Sequence, residues 1–184
     1  LPAERLAAAK SYVTFLKSKL VQVVEQALED LQLANVSFCR ARCGFAMNRR
    51  LPSPNGYRNF PNPNGPVDHD VPVLSVRSTT GKLRGILFGY ACHNTTLGFY
   101  QFCGDFAGFA QLAIEEANPG ALALYMQGCG ADINPYPRNT LELAKQHGQS
   151  LATAVQSALD TVATPLVGEL RTSYGKATVE YSTP

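Results

Sequence analysis

The sequence lacks the runs and motifs that mark several protein classes. In 184 residues no apolar stretch approaches the roughly 18 uninterrupted positions of a membrane-spanning helix. Charge is scarce, at 16% of residues. Sixteen basic against fourteen acidic side chains leave a net +2 with no long basic run, which argues against nucleic acid as the main partner. There is no CxxC pair, and five cysteines, an odd number, cannot all pair within the chain. Neither a G-x-S-x-G elbow nor a Walker loop occurs. The N-terminus, Leu1-Pro2-Ala3-Glu4-Arg5, has no starting Met and no charged-then-apolar leader. The last residues, Val179 to Pro184, read as a strand cut short, so the chain is expected to be a piece of a longer protein.

What is present supports a globular fold. At 45% hydrophobic, the chain can bury a substantial core in one domain. Residues 2–33 carry apolar side chains at steps of three and four, from Leu6 and Val13 to Leu31. This predicts a helix of roughly 48 Å at 1.5 Å per residue, long enough that a break or bend is expected. From Asn35 the period becomes two. Val36, Phe38, Arg40 and Arg42 face one way, and Ser37, Cys39, Ala41 and Cys43 the other. A segment rich in Pro, Asn and Gly from Leu51 to Pro66 reads as a long irregular loop. Asp68-His69-Asp70 reads as a hydrogen-bonded loop cluster, because extended backbone points the carboxylates away from the imidazole.

A strand over 71–77, a hairpin turn at Thr79-Thr80-Gly81-Lys82 and a strand over 84–91 follow. Asp105 is expected to cap a helix over 106–117, and a strand is expected over 121–126. A last helix starts at Asn139, with Glu142 in a capping-box position. Strands near 167–172 and 177–181 are expected to close the chain. The fold class is therefore α/β: a mixed sheet with flanking helices and at least one parallel βαβ crossover. That crossover puts the polar ends of the strands at Ala91 and Met126 on one sheet edge.

Chemistry concentrates at those strand ends, where ligands gather in α/β sheets. The apolar run Ile86-Leu87-Phe88-Gly89-Tyr90-Ala91 stops in Cys92-His93-Asn94-Thr95-Thr96. His93 reads either as a core imidazole held by hydrogen bonds or as a zinc ligand oriented by its hydroxyl neighbours. His147 reads as structural or exposed. Gly128-Cys129-Gly130-Ala131-Asp132 is either an amide cradle for an oxyanion or a turn that needs glycine. Arg49 reads as a surface Arg or as a binder of a carbonyl or anionic oxygen. The cysteines read as buried free thiols, with a Cys92–Cys129 or Cys103–Cys129 contact left open.

Taken in order, Gly44-Phe45-Ala46-Met47-Asn48-Arg49-Arg50, Gly65-Pro66-Val67-Asp68, Val71-Pro72-Val73-Leu74, Tyr90-Ala91-Cys92-His93-Asn94-Thr95, Gly104-Asp105-Phe106-Ala107-Gly108-Phe109-Ala110 and Gly128-Cys129-Gly130-Ala131-Asp132-Ile133-Asn134-Pro135 resemble the neutral/alkaline non-lysosomal ceramidase family. The resemblance covers about residues 35–138, within the family's N-terminal catalytic domain, and is closer to bacterial ceramidase-like proteins. It implies that residues 1–184 are one α/β domain, an incomplete part of a larger catalytic domain. It also implies zinc-dependent hydrolysis of the amide of an N-acyl lipid, contact with a membrane surface, and a secreted or periplasmic setting. By the same resemblance His93 is a zinc ligand, Arg49 lies near substrate, and Asp105 is at the site. The remaining zinc ligands fall outside this chain. The family's catalytic Ser falls on Asn134, whose amide cannot act as that nucleophile. A water activated by the metal is then the expected nucleophile, with Asp132 or Asp105 as base and Asn134 stabilising the oxyanion. The alternative is a non-catalytic, ceramidase-like ligand-binding domain.

Overall fold

The computed structural model describes residues 2–180. Two sheets and three helices make a mixed α/β structure. Helix α1 (Ala3–Glu29) runs without interruption, and none of its residues is buried. Its apolar stripe, including Leu16, Leu20 and Val24, faces outward. Strand β1 (Ala34–Arg42) leads into β2 (Ala46–Ser53), β3 (Gly56–Asn62), β4 (Asp70–Ser78) and β5 (Leu83–Tyr90). Helix α2 (Asp105–Ala117), β6 (Leu122–Gln127), β7 (Ile133–Pro135), α3 (Leu141–Leu159) and β8 (Thr164–Pro165) complete the order.

The larger sheet is ordered β6-β5-β4-β1-β8, and the smaller one β3-β2-β7. β5 and β6 run parallel, with Tyr90 opposite Gln127, and α2 makes the crossover between them. The expected βαβ unit is present, and the two polar strand ends are neighbours. β1 alternates as its sequence implies. Cys39 and Cys43 are buried, while Arg40 and Arg42 lie on the outer face, 3.5 and 4.0 Å from the Asp70 carboxylate. The Asp68 carboxylate accepts from Asp70 N–H at 2.9 Å, the kind of local bond expected of that cluster.

Several elements differ from the sequence pattern. Residues 51–62 are not an irregular loop but the greater part of a hairpin. Pro54-Asn55 form its turn, and Gly56, at φ 104°, supplies the left-handed residue that lets the strands resume pairing. Pro52 is tolerated because β2 pairs with β7 only over Ala46–Asn48, which leaves one edge open beyond that point. Gly104 rather than Asp105 precedes α2, and Asp105 is its first residue. Thr140, not Asn139, caps α3, through a bond from Leu143 N–H at 3.2 Å, so Glu142 is not part of a capping box. Residues 167–172 and 177–180 are not strands. After Thr164 and Pro165 pair with β1, no described residue offers them a partner edge; Tyr181 lies outside the described residues.

The core sits between the larger sheet and the α2–α3 pair. It is filled by Val71, Val73, Ile86, Phe88, Phe106, Ile114, Leu151 and Val155. The helices approach so closely that a Cβ on Gly148 would stand 2.5 Å from Phe109 Cβ and 2.9 Å from the Phe106 carbonyl oxygen. Gly148→Ala should therefore overpack this contact and destabilise the fold by about 2 kcal/mol. Denaturant unfolding would measure it, and an unchanged midpoint would contradict the packing described.

Candidate functional site

Three backbone hydrogen bonds assemble the site. Gly128 N–H donates to the Tyr90 carbonyl at 3.0 Å, joining the ends of β6 and β5. His93 N–H donates to the Ile133 carbonyl at 3.1 Å, and Arg49 N–H donates to the Asp132 carbonyl at 2.8 Å. The turn 128–132 is thus held between the end of β5 and the middle of β2. Its glycines are required by contact. A Cβ on Gly130 would lie 2.6 Å from Cys92 N, and one on Gly128 would lie 3.1 Å from Ala91 Cα.

Four residues singled out in the sequence meet here. The Arg49 guanidinium stands at the centre. Its Nη1 donates to Asn134 Oδ1 at 3.3 Å, and its Nη2 donates to the Ala131 carbonyl at 2.9 Å. Nη2 also lies 3.0 Å from His93 Nε2. A guanidinium only donates, so Nε2 accepts and the imidazole is neutral, with its proton on Nδ1. Thr95 Oγ1 donates to Asn134 Oδ1 at 3.4 Å. Asp132 joins through Asn48, whose Nδ2 donates to Asp132 Oδ2 at 2.8 Å.

Asp105 is buried in a different role. Its Oδ2 accepts from Leu97 N–H at 2.9 Å and its Oδ1 from Phe106 N–H at 2.7 Å, which fixes the far end of the 93–97 turn. It makes no hydrogen bond to the Arg49–His93–Asn134 group. Asp105 takes φ 51°, a left-handed conformation that Asp adopts more readily than most residues.

Two contributors carried no assigned role in the sequence. Asn48 is 2% exposed inside a strand. Besides Asp132 it donates to the Pro66 carbonyl at 3.0 Å, and its Oδ1 accepts from Arg50 N–H at 2.8 Å. A Cβ on Gly65 would sit 2.5 Å from Asn48 Cγ, which accounts for that glycine. The place of Asn48 in the polar run Asn48-Arg49-Arg50 was the only sign the sequence carried. Arg138, after Pro137, brings a second cation and had no such sign.

The electrostatics are one-sided. Burial, followed by the charges of Arg49, Arg138 and Arg50, holds the His93 pKa below its ordinary 6.5. Burial, followed by the charge of Asp105, pushes the Cys92 thiol up. Cys39, Cys43 and Cys92 are buried free thiols, and Cys103 and Cys129 are exposed and unbridged. His147 is structural: its Nε2 donates to the Pro137 carbonyl at 2.7 Å, and its ring stacks 4.4 Å from that of Phe45.

Among the described residues no three His, Cys, Asp or Glu side chains converge on a metal position. A catalytic zinc needs three protein donors. One neutral imidazole, with its lone pair turned to a guanidinium, fits a single corner of such a site and not a whole one.

Solved structures similar to this chain include a neutral ceramidase from Pseudomonas aeruginosa, at TM-score 0.66 and 18% identity, covering 81% of this chain and 26% of that one. A ceramidase complexed with C2 matches at TM-score 0.66 and 19% identity, covering 79% of this chain and 25% of the other. The fold is ceramidase-like. This chain spans about a quarter of the length of those proteins. No protein-family model and no curated protein matches it.

The lowered pKa has a signed consequence. The unfolded chain binds more protons than the folded one just below pH 6.5. The stability that neutral His93 contributes is therefore full above that pH. It is lost as pH falls toward the folded pKa. Removing the adjacent charge with Arg49→Met should move the His93 pKa up toward 6.5, as read by NMR titration of the ring. An unchanged pKa would mean that Arg49 does not face the ring.

Proposed function

We propose that this chain is one domain-sized part of a ceramidase-like hydrolase that cleaves the amide of an N-acyl lipid in an extracytoplasmic setting. The observation that carries the reading is the meeting of Arg49 from β2, Asn134 from β7 and His93 just after β5 in a ceramidase-like fold. No helix among the described residues is long and apolar enough to cross a membrane, so a lipid substrate would be met at the membrane surface.

In this reading Arg49 binds the carbonyl oxygen and holds the charge that develops on it. A donor placed at that oxygen stabilises the charge as it develops. Asn134, anchored through Oδ1 to Arg49 and Thr95, keeps its amide N–H groups free for the same oxygen. Asp132, oriented by Asn48, takes the proton of an attacking water, while Asp105 acts by positioning the 93–97 turn. His93 would give one ligand to a zinc whose other donors lie outside this segment; bound there, zinc would polarise the carbonyl. For that, Arg49 must swing off Nε2.

A second reading has its own support. Arg49 already occupies the His93 lone pair, and Asn134 stands where a hydroxyl nucleophile is expected, so the pocket would bind ligand without turnover.

Assay of the full-length protein with short-chain N-acyl sphingosines separates the two. The hydrolase reading expects metal by elemental analysis, no turnover in His93→Ala, and a drop of about a hundredfold in kcat for Arg49→Met. Metal-free protein that releases no fatty acid sinks it. Activity gained only in Asn134→Ser would favour the binding reading.

A further inference from the structure

Beside Arg49 lies a cavity of about 330 Å³, lined by the β2–β3 hairpin, Asn134 of β7 and the segment that follows β7. Arg49 and Arg138 both line it, and no Asp or Glu does. Among the described residues Arg138 makes no ion pair with an acidic side chain, and its Nε is buried without a partner. Arg49 Nε is likewise buried and unpartnered. Its Nη atoms are spent on Asn134, Ala131 and His93, none of them anionic. Two guanidiniums therefore share one cavity with no countercharge. The carboxamides of Asn59 and Asn139 add donors to its wall. Met47 and Phe60 add apolar lining, and Phe60 is 56% exposed.

We propose that this cavity is an oxyanion-binding site for a carboxylate or phosphate group attached to an apolar body. Arg138 supplies the main charge-assisted bonds, and Arg49 Nε a further one. Planar guanidiniums match the paired oxygens of these groups, and such bonds are stronger than neutral ones. The apolar lining would take the first carbons of the attached chain. The proposal rests on the cavity alone and needs no amide hydrolysis.

Equilibrium titration calorimetry of the full-length protein tests it, with octanoate, inorganic phosphate and, as uncharged counterpart, octanamide. Saturable binding of octanoate or phosphate, absent for octanamide, is expected. Binding of octanoate alone assigns a fatty carboxylate, and binding of phosphate alone assigns a phosphate group. Arg138→Gln should weaken the bound anion by about tenfold or more, as loss of a charge-assisted bond implies. Arg138→Lys, which keeps the charge but not the fork, should fall between, and circular dichroism confirms that each variant is folded. If Arg138→Gln does not fold, the lysine variant and the salt dependence of wild-type binding decide. Octanamide binding as tightly as octanoate, no binding of either anion, affinity indifferent to salt, or a folded Arg138→Gln of unchanged affinity would each overturn the proposal. Because no turnover is read, anion binding by a protein without amidase activity would leave this site standing while the hydrolase reading falls.

Discussion

The Tyr90 hydroxyl joins the two sheets. It donates to the Cys43 carbonyl at 2.6 Å and accepts from Ala46 N–H at 3.1 Å, bridging the end of β1 and the start of β2 from the last residue of β5. The residue is 1% exposed, and burial pushes its pKa well above the usual phenol range. A buried hydroxyl left unpaired would cost about 1–3 kcal/mol, so the three strand ends are held in one arrangement. Phe45, in the connection between β1 and β2, packs edge-on against both Tyr90 and Phe106 at 4.9 Å. It also stacks on His147, so α2, α3 and both sheets meet at this ring. The candidate site is built on β2 and on the turn after β5, which meet at that junction, and on β7 beside β2.

From the junction outward, the site is built mainly by backbone. Gly128 and Gly130 let one turn lie directly against the Tyr90–Cys92 backbone, and β7 slots beside β2 with Asn134 opposite Met47. Arg49 then reaches across to His93 and Asn134. The consequence is an imidazole kept neutral by burial and by the neighbouring guanidiniums rather than charged by a carboxylate. That polarity suits a site that handles oxygen-rich or anionic groups. It also places a cation where a metal would otherwise approach His93.

Much of this was legible in the residues. The period-two alternation of β1 gave its buried Cys39 and outward Arg40, and the apolar run before Cys92 gave β5. The 79–82 hairpin followed from turn chemistry, and the β5–α2–β6 crossover from the strand–helix–strand alternation. The Pro/Asn/Gly-rich stretch misled, because the same residues that break regular structure also close a tight hairpin when an edge strand needs no second partner. The expected terminal strands failed for the converse reason. Alternating residues near Val167 have strand propensity, but a strand exists only where another edge accepts its hydrogen bonds.

At the site the division is the same. The residue types after β5 and β6 marked His93 and the turn ending at Asp132 as chemistry-bearing, Arg49 was left between a surface role and oxygen binding, and Asn134 was singled out only through the resemblance to ceramidases. The sequence by itself determined these side chains and the strand ends that carry them, because burial periodicity and turn residues are local properties. Only the tertiary structure decided that Arg49, 44 positions before His93 and 85 before Asn134, lies between them. It also separated Asp105 from that group and set Arg138 beside Arg49. Such neighbours are fixed by the register of β2 against β7 and by the closeness that Gly130 permits, and no local pattern records either.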